Sequence, residues 1–163
     1  MSVRQEIHIR DMRPGEEETL WALFSTTIHR VNARDYSAAQ LEAWAPTTRT
    51  EADVQAWRQR MQSVKPFIAS IDGSVAGFSD LQRDGLVDFM FVAADFQGMG
   101  VAGCLMREIE SRARADGIER LYAHVSETAR AFFERSGFRV EASQAPLVRG
   151  VRLRNYLMRR QLA

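Results

Sequence analysis

From Val3 to Arg10 the apolar residues Val3, Ile7 and Ile9 share one parity, and the stretch reads as an edge or first strand. The period then lengthens. Leu20, Leu23, Phe24, Thr27, Ile28 and Val31 recur at helical spacing behind three acidic residues, so a helix is predicted over 14–31. A shorter helix is predicted over 36–46, with Ser37 as N-cap and Pro46 as stop. A third, over 50–62, carries Val54, Trp57 and Met61 on one face and opens on Thr50 and Asp53 as a capping pair. After residue 65 short strands take over, at 66–71, 74–81 and 86–92, joined by Asp72-Gly73 and by a turn ending in Gly85. Helical spacing returns over 99–116, closed by Gly117. A strand over 120–125, a helix over 128–136 and strands over 138–141 and 149–159 complete the chain. The pattern predicts one α/β domain over 1–163, with a mixed, mostly antiparallel central sheet of six or seven strands flanked by helices. The helix over 99–116, set between the strand over 86–92 and the strand over 120–125, implies one parallel pair.

The strand over 86–92 runs into Gln97-Gly98-Met99-Gly100-Val101-Ala102-Gly103, which opens the helix over 99–116. Nearly bare residues at a helix start leave several backbone N–H groups free to face one ligand. The helix dipole adds partial positive charge, and the two together suit a phosphate group. No Gly-Lys-Ser/Thr follows, so a P-loop is excluded. Gly98-x-Gly100-x-x-Gly103 matches a dinucleotide-binding fingerprint by letters, but it follows an antiparallel meander rather than the first strand of a βαβ unit. A helix start that merely packs closely on a strand is the plain alternative.

Composition narrows the field modestly. A net charge of +1 across 163 residues speaks against a nucleic-acid-binding module. Cys104 is the single cysteine, so neither an intrachain disulfide nor a cysteine-based metal site can form, and its place on the apolar helix face reads as a buried structural thiol. No apolar run approaches transmembrane length and the N-terminus lacks a signal-peptide pattern, so no membrane partner is expected and the cytoplasm is the default location. Exposed strand edges leave room for a homodimer.

Two spaced motifs and the order of elements now coincide. Gln97-x-x-Gly100-x-Ala102 opens the glycine helix, and Ser126-x-x-Ala129-x-x-x-Phe133-Glu134-x-x-Gly137-Phe138 follows it. Together they resemble the GNAT (GCN5-related N-acetyltransferase) superfamily over nearly the whole chain. His29 with Tyr36-Ser37-x-x-Gln40-x-x-Ala43-Trp44-Ala45-Pro46, and Trp57-x-x-Arg60, look like its YafP-like bacterial subgroup.

The resemblance implies transfer of an acetyl group from acetyl-CoA directly to an amine of a small molecule or peptide, with no metal. It implies that backbone N–H groups of Gly98, Met99, Gly100, Val101, Ala102 and Gly103 hold the pyrophosphate, with Gln97 beside them. Phe91 and Val92 are expected to pair with the pantetheine arm, and an N–H near Val92 to face the thioester carbonyl. Ser126 stands where the family has an Asn that contacts the cofactor. Phe133 stands in the cofactor-binding set where the family has the Tyr that protonates the leaving thiolate, and Phe has no proton to give. Tyr36, Ser126 or water takes that role, or the thiolate leaves unaided. Asp88 heads the candidates for the base, followed by Asp80, His29, His124 and Glu127. His29, Tyr36 and Trp44 are expected around the acceptor; Trp57 is as well explained by the core. A non-catalytic acyl-CoA-binding sensor or interaction domain is the alternative, kept open by Phe133.

Overall fold

The computed structural model describes residues 5–162. Its elements run β1 (Ile7–Asp11), α1 (Glu17–Arg30), α2 (Ala38–Trp44), α3 (Glu51–Val64), β2 (Phe67–Ile71), β3 (Ser74–Ser79), β4 (Met90–Val92), α4 (Val101–Ala115), β5 (Arg120–Ser126), α5 (Glu127–Arg135), β6 (Arg139–Gln144), β7 (Leu147–Val148), β8 (Val151–Arg152) and β9 (Asn155–Gln161). Val3, the start of the expected first strand, lies outside the described residues.

The local signals act as their chemistry dictates. Ser37 Oγ accepts the Gln40 N–H at 3.2 Å while Gln40 Oε1 accepts the Ser37 N–H at 2.9 Å, a reciprocal cap on α2. Thr50 and Asp53 do the same for α3, so an Asp serves where Glu or Gln is usual.

The α/β class stands, but the sheet is split. Four antiparallel strands in the order β1-β2-β3-β4 form one half and β5-β9-β6 the other, with β7 and β8 as a separate hairpin. The expected parallel pair shrinks to a single bridge, Leu86 to Tyr122. It is made by the Val87 N–H to the Tyr122 carbonyl at 2.9 Å and the Tyr122 N–H to the Gly85 carbonyl at 3.0 Å. Beyond that vertex β4 and β5 diverge.

The strand expected over 86–92 keeps ladder pairing only at its last three residues, Met90 to Val92. Asp80 is the reason. Its buried carboxylate accepts the N–H groups of Asp88 and Phe89, which then cannot join the ladder.

Each face of the sheet is covered. Phe67, Ala69 and Ile71 of β2 pack with Val101, Leu105 and Ile109 of α4 and with Leu121, Ala123 and Val125 of β5. Ile68, Phe78 and Phe89 face the other way, onto Leu20, Phe24 and Ile28 of α1 and Trp57 and Met61 of α3. Burying each of these large side chains stabilises the fold by roughly 1.5–3 kcal/mol. Cys104 departs from expectation: it is half-buried, with its sulfur 3.2 Å from an Arg107 guanidinium nitrogen.

Candidate active site

The divergence of β4 and β5 opens a cavity of about 650 Å³ through the middle of the molecule, a size suited to a small organic ligand. Phe89, Met90, Phe91 and Val92 line one side and Ala123 to Ser126 the other. The Ala93 N–H donates to the Ala76 carbonyl of β3 at 2.8 Å. Antiparallel ladders alternate, so the backbone groups of Met90 and Val92 face away from β3, into the opening. The Val92 carbonyl bears this out, accepting Thr27 Oγ1 at 3.0 Å and Gln97 Nε2 at 2.8 Å. Its N–H has the same outward direction.

At the mouth, α4 begins at Val101 with Gly100 as N-cap in the left-handed region, φ 85°. A β-carbon there would meet nothing within 4 Å, so the helix start borders open space. Met99 is 40% exposed, whereas Val101 is buried in the core and only its backbone is available. Of the residues expected to hold the cofactor, Phe91, Val92, Gln97, Ala102, Ser126 and Phe133 line the cavity. Gly98, Met99, Gly100, Val101 and Gly103 do not line it; the first four lie between Gln97 and Ala102 in the chain and Gly103 follows. Gln97, expected beside the pyrophosphate, gives one amide N–H to the Val92 carbonyl at 2.8 Å, which holds the strand end to the turn.

The catalytic candidates Asp88, Tyr36 and Ser126 also line the cavity, in different states. Asp88 is ion-paired with Arg60 of α3, whose guanidinium also lies 5.4 Å over the Phe89 ring. Tyr36 is buried; its hydroxyl donates to the Arg154 carbonyl at 2.6 Å and accepts the Glu127 N–H at 2.9 Å. Burial raises its pKa above the usual phenol value. Ser126 is the N-cap of α5, accepting the Ala129 N–H at 3.1 Å, and its own O–H stays free to donate. Asp80 is fully buried and absent from the cavity wall. Desolvation raises its pKa to about 6, against the hydrogen bonds from Gln82 and the backbone.

The acceptor candidates divide. Trp44 lines the cavity beside Tyr36, ring centroids 5.4 Å apart, and lies 6.4 Å from Phe91. His29 does not: its Nε2 lies 2.6 Å from the Ala45 carbonyl and ties α1 to the end of α2. Trp57 is both wall and core, 8% exposed, with its indole N–H on the Glu17 carbonyl at 2.7 Å. Phe133 packs edge-on against Phe138 at 5.0 Å, filling the place where an acid would stand.

The largest part of the wall that pattern reading missed is the β7–β8 hairpin with its flanks, which contributes Val148, Arg149, Leu153 and Arg154. It is pinned over α2 by Arg149 to the Ala43 carbonyl at 2.6 Å and by Gln40 to the Arg152 carbonyl at 3.0 Å. The dipeptide Arg149-Gly150, both at positive φ, is its only local signal. Among the described residues no helix is long and apolar enough to cross a membrane.

Known proteins resemble this arrangement throughout. The acetyltransferase (GNAT) domain model matches residues 32–160. The uncharacterized N-acetyltransferase YafP of Escherichia coli (strain K12) is 29% identical over 153 residues, covering 94% of this chain and 95% of that one. The crystal structure of a GCN5-related N-acetyltransferase from Rhodopseudomonas palustris superposes with a TM-score of 0.91 at 27% identity, over 99% of each chain. The Salmonella typhimurium protein yncA, solved with its cofactor acetyl-CoA, shares the fold with a TM-score of 0.68 at 18% identity, over 97% of this chain and 95% of its own. By its cleft, its glycine-opened helix and a domain match spanning most of its length, the chain belongs to the GNAT acetyltransferase family.

Proposed function

We propose that this protein transfers the acetyl group of acetyl-CoA directly to an amine of a small molecule or peptide, within the cleft between β4 and β5. The observation that carries the reading is the outward-facing backbone of Met90 and Val92 beside the open helix start at Gly100. That pairing offers main-chain partners for a pantetheine arm and a cradle for a pyrophosphate in line with each other. The residues fit the cosubstrate without an added cation, because backbone N–H groups and the helix dipole provide the positive field.

In this reading the Val92 N–H stabilises the oxyanion as the amine attacks the thioester carbon. Ser126, with its free O–H at the start of α5, relays the second proton of the attacking nitrogen to the departing thiolate, giving up its own proton as it takes that one, and the helix dipole favours the negative sulfur there. Tyr36 serves as a positioning residue, since its proton is engaged by the Arg154 carbonyl. The aromatic wall of Trp44, Trp57 and Phe91 suits an acceptor with an apolar or aromatic body. A cytoplasmic setting belongs to the same proposal.

The test is thiol release from acetyl-CoA across a panel of aryl, alkyl and amino-acid amines, with acetyl-CoA binding measured by calorimetry. Turnover on at least one amine is expected, together with loss of measurable binding in Gly100→Val, where a β-branched side chain would have to adopt positive φ inside the cradle. Binding without turnover on any amine would instead make the protein an acyl-CoA sensor. Unchanged affinity in Gly100→Val would remove the cradle.

A further inference from the structure

The obvious carboxylate base is engaged: Asp88 is paired with Arg60. Across the opening, on β5, stands His124. Its strand neighbours Ala123 and Val125 are buried in the core beneath α4, so alternation puts His124 on the opposite, acceptor face. The residue lines the cavity and is exposed. Its Nδ1 lies 3.0 Å from Oε1 of Gln144 on β6. An amide oxygen can only accept, so Nδ1 carries the hydrogen and Nε2 is left as a bare lone pair. The sheet makes this contact possible. Both residues flank β9, where His124 is opposite Leu157 and Gln144 opposite Asn155, so the glutamine reaches back diagonally across one strand.

We propose that Nε2 of His124 is the general base of the transfer and that Gln144 is the positioning residue that fixes its tautomer. The inference rests on the acetyltransferase reading. The acceptor arrives as an ammonium and gives one proton to Nε2. The freed lone pair forms the C–N bond, the C–S bond breaks, and its electron pair leaves on sulfur. The second nitrogen proton offsets the one taken by the thiolate, so the products are the N-acetyl amine, free CoA thiol and the proton His124 returns to water. Charged groups surround His124 on several elements. Tyr122 stacks edge-on at 6.4 Å, with Asp84 bonded to its hydroxyl and Arg159 5.3 Å from its ring. Arg159 is in turn paired with Glu141 of β6, and the Asp88–Arg60 pair closes the β4 side.

The experiment takes the amine that turns over in the panel. His124→Ala is expected to lower kcat by roughly 100-fold with acetyl-CoA affinity intact. It should abolish the acid limb of the pH profile and recover activity when imidazole is added. Gln144→Leu should lower kcat and displace that limb, while Gln144→Glu, which keeps an acceptor on Nδ1, should restore both. Ring nitrogen NMR of the wild-type protein should show Nδ1 protonated and Nε2 bare at pH 8. An unaltered acid limb in His124→Ala, absence of imidazole rescue, or an Nε2-protonated tautomer would overturn the base and leave the acetyltransferase reading standing. Failure of every amine in the panel would remove both.

Discussion

Asp80 Oδ1 accepts the backbone N–H of Phe89 at 2.7 Å, and that bond shapes the entrance to the cleft. The same oxygen takes the Asp88 N–H at 2.9 Å, while Oδ2 accepts Gln82 Nε2 at 2.7 Å. One buried carboxylate thus replaces a stretch of β-ladder and turns β4 away from regular pairing with β3. The Ser79 hydroxyl supports it from the same strand by donating to the Phe89 carbonyl at 2.6 Å.

Stability should therefore depend on pH through Asp80. Its folded-state pKa of about 6 lies above the ordinary 3.8. Between those values the folded chain holds a proton that the unfolded chain has released, so the contribution of this group falls as pH rises from 4 to 6 and stays low above that. The shift corresponds to about 3 kcal/mol. Asp80→Asn keeps a carbonyl oxygen for the two N–H groups and removes the titration. Its stability relative to the native protein should rise across that window and then level off, as read by urea unfolding at stepped pH. A difference that does not vary with pH would mean that the buried carboxylate carries no such cost.

Gly85 is the hinge pin of the opening. Its φ is +93°, and a β-carbon would come within 2.0 Å of the Arg120 carbonyl oxygen. That contact is with backbone, which cannot step aside without breaking the bridge that joins the two half-sheets. Gly85→Ala should cost roughly 2–4 kcal/mol and weaken acetyl-CoA binding by moving β5. A melting temperature equal to that of the native protein would show that the vertex is more plastic than its geometry implies.

Tyr36 and Ser126 can be separated by what each variant loses. Tyr36→Phe keeps the ring against Trp44 but forfeits two hydrogen bonds, so a stability loss of roughly 1–3 kcal/mol is expected with kcat little changed. Ser126→Ala loses an N-cap, about 1 kcal/mol, and the proposed proton donor, so kcat should fall by roughly 100-fold while KM for acetyl-CoA holds. Steady-state kinetics beside thermal unfolding distinguishes them. The reverse outcome, with Tyr36→Phe losing kcat and Ser126→Ala retaining it, would transfer the donor role to the phenol.

Much of this was legible along the chain because it is local. Ser37 with Gln40, and Thr50 with Asp53, cap their helices within four residues. The glycines before α4 announce a bare helix start, and periodicity alone separates helices from strands. The Ser126 to Phe138 motif carries the family with it.

What the sequence by itself determined is the class of fold and the order of its elements as far as β6, since these rest on contacts between near neighbours, and, through its resemblance to a family, the donor. The strand expected over 149–159 is instead β8, a break at Leu153 and Arg154, and β9. The tertiary structure alone decided that the sheet divides at Leu86 and Tyr122, 36 residues apart. It also decided that Asp80 bends β4 from a neighbouring strand, that Asp88 is taken by Arg60, and that His29 serves α2 instead of the acceptor. A hydrogen bond or ion pair formed across the fold leaves no periodic trace in the chain, so a residue type names only what a side chain can do. Which partner it meets depends on packing between elements that the sequence orders but does not orient.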